Sequence, residues 1–411
     1  MCSCIKYNWE KTIRQGGEAV NGIIKMPFPF STPCANEGFV DFYYWDTYFA
    51  NLGLMHDGFV RQAENNLDNM KYFIDALGYV PNANNILDRS QPPIFTAGVY
   101  DLYRFKNDTG VIEKYADSIW AELNFFQYDR MTPVGLNQYG TNAARVELKN
   151  ACGWLCQRVD EKLPEKEEER IHLARNLYAI AESGWDFTPR FRTEESGFAA
   201  DEFAHLDLNC NLYDAEQKAA EMFRLVERSK EAEVLEERAK LRKERMDRYM
   251  RDPHTGIYFD YNFKRDRLSS VLSCASFYVY TAGISDDAQA AKEALRRLEL
   301  THGLAACEER PGDTYLQWDY PCMWSSNVYF ATQGLLRIGL AEDAKRIAGK
   351  YVNTVDKCFA ETGLLWEKYD GTSGKVSVTN EYETPAMMGW TAGVYLEMQE
   401  LIQKYMLLYS V

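Results

Sequence analysis

The 411-residue sequence has no run of about 20 apolar residues, the length a helix needs to cross a bilayer, so no segment is expected to span a membrane. Positive charge is also in deficit: 46 Lys and Arg stand against 61 Asp and Glu, a formal net charge of −15. Phosphate backbones and anionic lipid surfaces need clustered cations, which excludes nucleic acid and membrane as expected partners. Histidine is scarce: His56, His172, His205, His254 and His302 make up the set. Chemistry built on paired imidazoles, such as sugar epimerisation, finds little support in them. No stretch is rich enough in Gly, Ser or Pro to act as a linker, so one domain is expected over 31–411, preceded by an N-terminal segment over 1–30. The first residues turn polar at once and contain no apolar signal core, from which a cytoplasmic protein is expected. The ten cysteines are scattered, many in apolar helical surroundings such as Cys274 and Cys358, and read as free buried thiols. Cys152 and Cys156 are four apart, but no histidine or second close pair completes a zinc set. Neither a metal nor a cofactor is expected.

Aromatic residues, by contrast, are plentiful, with 27 Tyr and 9 Trp. Rings fill cores, and they also carry the C–H faces of sugars, so the excess suits a carbohydrate site as well as ordinary packing. The most informative stretch is Ala181-Glu182-Ser183-Gly184-Trp185-Asp186-Phe187-Thr188-Pro189-Arg190-Phe191. A helical run ends at Ser183-Gly184, and the proline stops any continuation, which puts Asp186 on a loop just past a helix end. Apolar rings disfavour the charged form of a carboxyl beside them, so Trp185 and Phe187 are expected to favour protonated Asp186. A protonated carboxyl in an aromatic cleft is what glycoside hydrolysis asks of its general acid.

Most of the chain reads as helix. Residues 57–77, 165–182, 213–251, 286–300, 341–359 and 389–407 carry apolar residues at three- and four-residue spacing with charged faces between. The 213–251 run is too long for one globular helix and is expected to break near Arg228-Ser229-Lys230-Glu231. A second class of helix start is apolar and aromatic: 94–100, 276–283, 324–331 and 389–396. Thr-Ala-Gly-Val-Tyr occurs at both 96–100 and 391–395. An inner ring of buried helices inside an outer ring of half-exposed ones would produce this alternation.

Seven segments recur in a fixed order. They are Phe42-Tyr43-Tyr44-Trp45-Asp46-Thr47-Tyr48-Phe49; Gly78-Tyr79-Val80-Pro81-Asn82 with Arg89-Ser90-Gln91-Pro92-Pro93; Arg145-Val146-Glu147; the Asp186 segment; Gln317-Trp318-Asp319-Tyr320-Pro321 with Trp324; Glu367-Lys368-Tyr369-Asp370; and Glu381-Tyr382 with Gly389-Trp390-Thr391. In that order they resemble the trehalase family, glycoside hydrolase family 37, over about residues 36–396. The resemblance implies an all-α fold, the (α/α)6 barrel, a toroid of six helical hairpins. It implies an inverting glycoside hydrolase that cleaves an α-linked glucoside, with a small carbohydrate as substrate. The alternatives are an α-glycosidase like those of glycoside hydrolase family 63, acting on another α-glucoside or on mannosylglycerate, and a non-catalytic carbohydrate-binding relative.

By the same resemblance Asp186 is the general acid and Glu381 the general base. Glu383 is the rival for the base, since residues two apart in an extended loop face one side. Arg89 and Arg145 can fork onto sugar hydroxyls; Glu147 and Asp46 can accept from hydroxyl pairs; Asn82 and Gln91 offer donors and acceptors. Phe39, Tyr43, Trp45, Trp318 and Trp324 are expected as stacking walls. Asp319 is left between capping a helix and touching sugar. The chain departs from the family before the Tyr-Tyr-Trp-Asp segment, where two arginines of the family pattern are replaced by Gly38 and Val40. It departs again at 373–380, where a glycine-rich lid is replaced by alternating polar and apolar residues. One sugar subsite is therefore expected to be rebuilt.

Overall fold

A computed structural model of the chain describes residues 1–17, 25–311, 316–377 and 382–408. Among them are fourteen α-helices: α1 (Cys2–Asn8), α2 (Tyr44–His56), α3 (Val60–Leu77), α4 (Phe95–Lys106), α5 (Gly110–Asp129), α6 (Arg145–Arg158), α7 (Glu167–Glu182), α8 (Leu206–Leu225), α9 (Ser229–Tyr249), α10 (Tyr278–Thr281), α11 (Ala288–Leu298), α12 (Ser325–Arg337), α13 (Ala341–Thr362) and α14 (Gly389–Leu408). Helices α2, α4, α8, α10, α12 and α14 each pack on the next, and α14 returns against α2 to close a ring. The other long helices, α3, α5, α9 and α13, pack against this ring from outside. The fold is the (α/α)6 toroid.

The two classes of helix differ as their sequences require. In α2 every residue from Tyr44 to Met55 is buried, as suits a helix that is apolar on all sides. In α9 the buried residues are Ala232, Leu235, Ala239, Arg242 and Met246, one stripe at three- and four-residue spacing on an otherwise charged helix. The expected break in 213–251 falls at residues 226–228, between α8 and α9. Periodicity did not single out α5 or α6. The ring closes where two glycines meet: a Cβ on Gly53 would lie 2.9 Å from Gly393 Cα, and one on Gly393 would overlap the Phe49 carbonyl. Gly393 belongs to the second Thr-Ala-Gly-Val-Tyr copy, so that repeat marks the closest approach of α14 to α2.

Helices α6 and α7 pair with each other and share a second apolar core with Phe187, Phe191, Phe198 and Phe203. The N-terminal residues are not set apart from the domain. Ile13–Arg14 pairs with Phe30–Ser31, and Trp9 is fully buried with its Nε1 donating to Asp57 Oδ2 at 2.8 Å. The 30/31 boundary thus cuts a paired strand. Small antiparallel sheets tie loops to helix starts. In one of them Cys322–Trp324 pairs with Lys368–Asp370, with Trp324 opposite Lys368, so two of the sequence motifs lie side by side.

Arg190 fixes the loop after α7. It has no exposed surface, donates to Asp260 at 2.8 and 3.0 Å and to Asp207 at 2.5 Å, and lies over the Trp185 ring at 4.5 Å. Asp207 also accepts from Tyr139 Oη, and Asp260 from the Leu206 amide. Removing the guanidinium would strand two buried carboxylates. Arg190→Met is therefore expected to cost about 3–5 kcal/mol in unfolding free energy, measured by urea denaturation. A loss below about 1 kcal/mol, the scale of an exposed pair, would show that the network does not carry the loop.

Candidate active site

The starts of the inner helices and the loops before them enclose a cleft of about 360 Å³. Trp45 and Asp46 enter it from the first turn of α2, Trp324 from the residue before α12, and Trp390 from the first turn of α14. Trp45, Trp185, Trp318, Trp324 and Trp390 form a continuous aromatic floor, none more than 3 % exposed. Trp318 stacks on Trp324 at 3.8 Å with a 4° interplanar angle and on Trp185 at 5.1 Å; Trp390 meets Trp318 and Trp324 edge-on. Trp318 and Trp324 line the cleft as expected, but their faces are largely taken up with each other.

Asp186 reaches the cleft because α7 ends at Glu182 and the chain turns at Gly184. Gly184 has φ +73°, and a Cβ there would sit 2.9 Å from the Trp45 ring, so both the turn and the close approach require glycine. The Asp186–Phe187 peptide is cis. Trp185 and Phe187 are fully buried, whereas the Asp186 side chain is 32 % exposed. Arg158 Nη2 donates to Asp186 Oδ2 at 3.1 Å, so a cation joins the two rings expected around this carboxyl. Glu182, at the last turn of α7, accepts from Arg130 Nε and Nη2 at 2.8 and 2.9 Å and from the Ser90 amide at 2.9 Å. It thereby ties the Arg89–Gln91 loop to the helix end that carries Asp186.

Two further carboxyls face the cleft. Asp46 is 8 % exposed, and burial, with Glu367 and Asp186 nearby, pushes its pKa up to about 7. Glu367 is also raised, mainly by burial, with Lys368 and Tyr382 opposing. Its oxygens belong to a closed buried ring of hydrogen bonds. Lys368 Nζ donates to Glu367 Oε2 at 2.9 Å and to Gln317 Oε1 at 3.0 Å; Gln317 Nε2 donates to Tyr382 Oη at 2.7 Å, and Tyr382 Oη to Glu367 Oε1 at 2.7 Å. Gln317 Nε2 also lies 3.3 Å from the Asp186 carbonyl. The ring links the Asp186 loop, the Glu367-Lys368 strand and Tyr382.

Of the residues singled out from the sequence, Phe39, Tyr43, Trp45, Asp46, Asn82, Arg89, Gln91, Asp186, Trp318 and Trp324 line this one cleft. Gln91 Oε1 also accepts from the Trp45 amide at 3.0 Å, and Arg89 lies 4.7 Å over the Tyr178 ring with its Nε unpartnered. Arg145 and Glu147 do not reach the cleft. They open α6, a helix the sequence reading did not mark. Glu147 caps it by accepting from the Ala144 amide at 2.6 Å, and Arg145, exposed, pairs with Glu168 of α7. Asp319 turns to Arg310 at 2.9 Å and accepts from the Tyr320 amide at 2.8 Å, facing neither a helix start nor the cleft. Glu381 lies outside the described residues. Glu383 is exposed and lines a neighbouring surface groove with Gly38 and Pro385. The cleft also contains Trp154, Arg158, Glu367, Tyr382 and Trp390, which the sequence reading had not assigned as site residues. Glu367 and Trp390 lie inside motifs already quoted, and Trp154 and Arg158 are one helical turn apart on α6.

The trehalase family profile matches residues 9–403. The periplasmic trehalase of Xanthomonas campestris pv. campestris is 30 % identical over 427 residues, covering 96 % of this chain and 72 % of the relative, and that of Xanthomonas oryzae pv. oryzae is 29 % identical over 424. Among solved structures, neutral trehalase from Saccharomyces cerevisiae superposes with a TM-score of 0.76 at 22 % identity, covering 98 % of this chain and 80 % of that one. A family 63 mannosylglycerate hydrolase from Thermus thermophilus gives 0.66 at 15 %, covering 96 % and 99 %, a likeness of fold. The expectation of a cytoplasmic protein is overturned, since both relatives are named as periplasmic. With a profile match over nearly its whole length and a relative 30 % identical across it, the chain belongs to the trehalase family of glycosidases.

Proposed function

We propose that the protein hydrolyses trehalose with inversion, Asp186 protonating the glycosidic oxygen and Glu381 activating water. The observation that carries this reading is the convergence of Asp186, Asp46, Asn82, Arg89 and Gln91, drawn from three separated motifs, on one tryptophan-floored cleft large enough for a disaccharide. An inverting site needs an acid and a base on opposite faces of the bond, with room between them for water. Asp186, 32 % exposed at the cleft, is the proposed proton donor to the leaving oxygen. Glu367 is a poorer base, because both its oxygens are already held by Lys368 and Tyr382. Glu381 is proposed by resemblance and is followed directly by Tyr382, which does enter the cleft. Asp46, Asn82, Arg89 and Gln91 are the proposed contacts to the retained ring. The domain is proposed to cover 31–411, with Ile13 of the N-terminal segment paired to it at Ser31.

Asp186→Asn is expected to keep the fold and to lose roughly 10²–10⁴-fold in kcat on trehalose, the usual share of a general acid. Products followed by NMR should appear first as equal amounts of β-glucose, from the inverted ring, and α-glucose, from the leaving ring, where retention would give α-glucose alone. Retained activity within about tenfold would move the proton donor elsewhere.

Asp46 gives a second test. Its pKa stands at about 7 in the fold against 3.8 for the free side chain. Between those values the native state holds the proton and the unfolded state has released it, so native stability falls as pH rises through that window and stays lowered above it. Asp46→Asn removes this loss. The variant is expected to be more stable than wild type at about pH 8 by roughly 2–4 kcal/mol, with the gap narrowing towards about pH 4, while trehalose hydrolysis drops. Urea melts at the two pH values decide it: a gap that does not change with pH would mean Asp46 bears no burial cost.

A further inference from the structure

Two of the inner helices turn a polar stripe inward. On α8, Asn211, Asp214 and Lys218 stand at three- and four-residue spacing, and on α12 Tyr329, Gln333 and Arg337 stand four apart. With Tyr48 of α2, Ala97 of α4 and Thr281 of α10 they line a cavity of about 230 Å³. Residues from five of the six ring helices can meet only inside the ring. We propose that this cavity is a second, non-catalytic binding site that takes one neutral hexose. The site itself does not depend on the hydrolase reading; only the choice of glucose as its probe rests on that reading, because trehalose hydrolysis releases glucose.

The cavity and the cleft share no lining residue. Phe49, fully buried, stands between them: it meets Trp45 of the cleft edge-on at 5.6 Å, and Tyr48 and Tyr329 of the cavity at 5.2 and 5.7 Å. The cavity reaches solvent at Arg337, the exposed last residue of α12, about 20 Å along that helix from Trp324 at the cleft. Its wall combines what a sugar ring needs. Tyr329 is half-buried and offers ring surface to C–H groups. The Tyr48 and Tyr329 hydroxyls lie 3.2 Å apart, and the half-buried Gln333 amide brings both donors and an acceptor. The charges on the wall are already paired: Lys218 Nζ lies 2.6 Å from Asp214 Oδ2, and Arg337 Nη1 2.8 Å from Asp286 Oδ1. A charged ligand would have to compete with one of these pairs, whereas a hydroxyl, donor and acceptor at once, can bridge the members of a pair and leave it intact. A polar cavity of this kind also favours a polar occupant over an apolar one. Size sets the number of rings. The cleft proposed to take a disaccharide measures about 360 Å³, and 230 Å³ leaves room for one ring.

Equilibrium dialysis of the full chain against radiolabelled D-glucose tests the site. Wild type is expected to hold one glucose in the cavity, with a dissociation constant on the order of 1 mM, besides any held in the cleft. Ala97→Leu, which fills the cavity from α4, should abolish that equivalent. Gln333→Leu, which removes an amide from the wall, should weaken it by about tenfold. Both should keep kcat/KM on trehalose within about twofold of wild type, because neither residue lines the cleft. If one variant fails to fold, the other decides. Equal glucose binding by wild type and variants would overturn the site, as would a wild type that binds no glucose. D-Glucosamine and D-glucuronate carry the same ring with a positive or a negative charge, and should bind the cavity at least about tenfold more weakly. If either binds more tightly than glucose, the cavity selects for charge and the neutral-hexose proposal falls. The two readings fail separately: a protein that leaves trehalose intact but loses its bound glucose on Ala97→Leu would sink the hydrolase reading and keep the cavity site.

Discussion

Arg190 has no contact with water, and its charge is answered by Asp207 and Asp260, which are themselves buried. Such an arrangement is tolerable only while every member is in place, because an isolated charge in the interior costs several kcal/mol. The consequence is positional. Asp207 lies in the first turn of α8, Asp260 just before a small strand, and Arg190 four residues beyond Asp186. One guanidinium therefore fixes the loop of the proposed acid against two other parts of the toroid, and by lying over Trp185 it also sets one edge of the aromatic floor.

The same device is repeated around the cleft. Glu182 with Arg130 locks the end of α7 to the loop of Arg89 and Gln91. The ring of Glu367, Lys368, Gln317 and Tyr382 locks the opposite wall. Both hold charged groups withdrawn from solvent; the first lies behind residues that line the cavity, and Glu367, Gln317 and Tyr382 of the second line it themselves. A ring helix buried on all sides, as α2 is, can slide or rotate with little penalty from burial alone, since burial is not directional. Paired charges at the helix ends and in the loops beside them remove that freedom, because their hydrogen bonds are satisfied in one geometry. The polar groups thus specify the shape of a site for which the apolar contacts supply most of the cohesion.

The architecture was largely legible in the sequence because it depends on periodicity. The alternation of all-apolar helices such as α2 with single-stripe helices such as α9 is a direct trace of inner and outer positions. The cleft was legible where a residue sits at the start of an inner helix or in the loop before it, as do Trp45, Asp46 and Trp324. It was not legible where location depends on which end of a helix faces inward. Arg145 and Glu147 matched a motif, yet the helix they open presents its other end to the cleft, and sequence spacing contains no information about that. The ring around Glu367 was hidden for a different reason: its members are 65 residues apart at the widest, Gln317 to Tyr382, and only the sheet register of Trp324 against Lys368 brings them together.

Helix α6 carries two arginines in very different surroundings. At the first turn of α6, Arg145 stands in solvent and pairs with Glu168, an arrangement of small energetic weight. Three turns along, Arg158 is partly buried, stacked on Phe187 and bonded to Asp186, where lower water content strengthens the same charge. A lone arginine on a surface helix would not favour that place over solvent. It does so here because Trp154 and Phe187 shield its faces and Asp186 meets its edge, so the motif that carries Asp186 and Phe187 itself creates the seat for a cation from another helix. Motif residues therefore mark where the cleft lies, while the identity of the groups at its rim follows from which neighbouring helix end comes within reach.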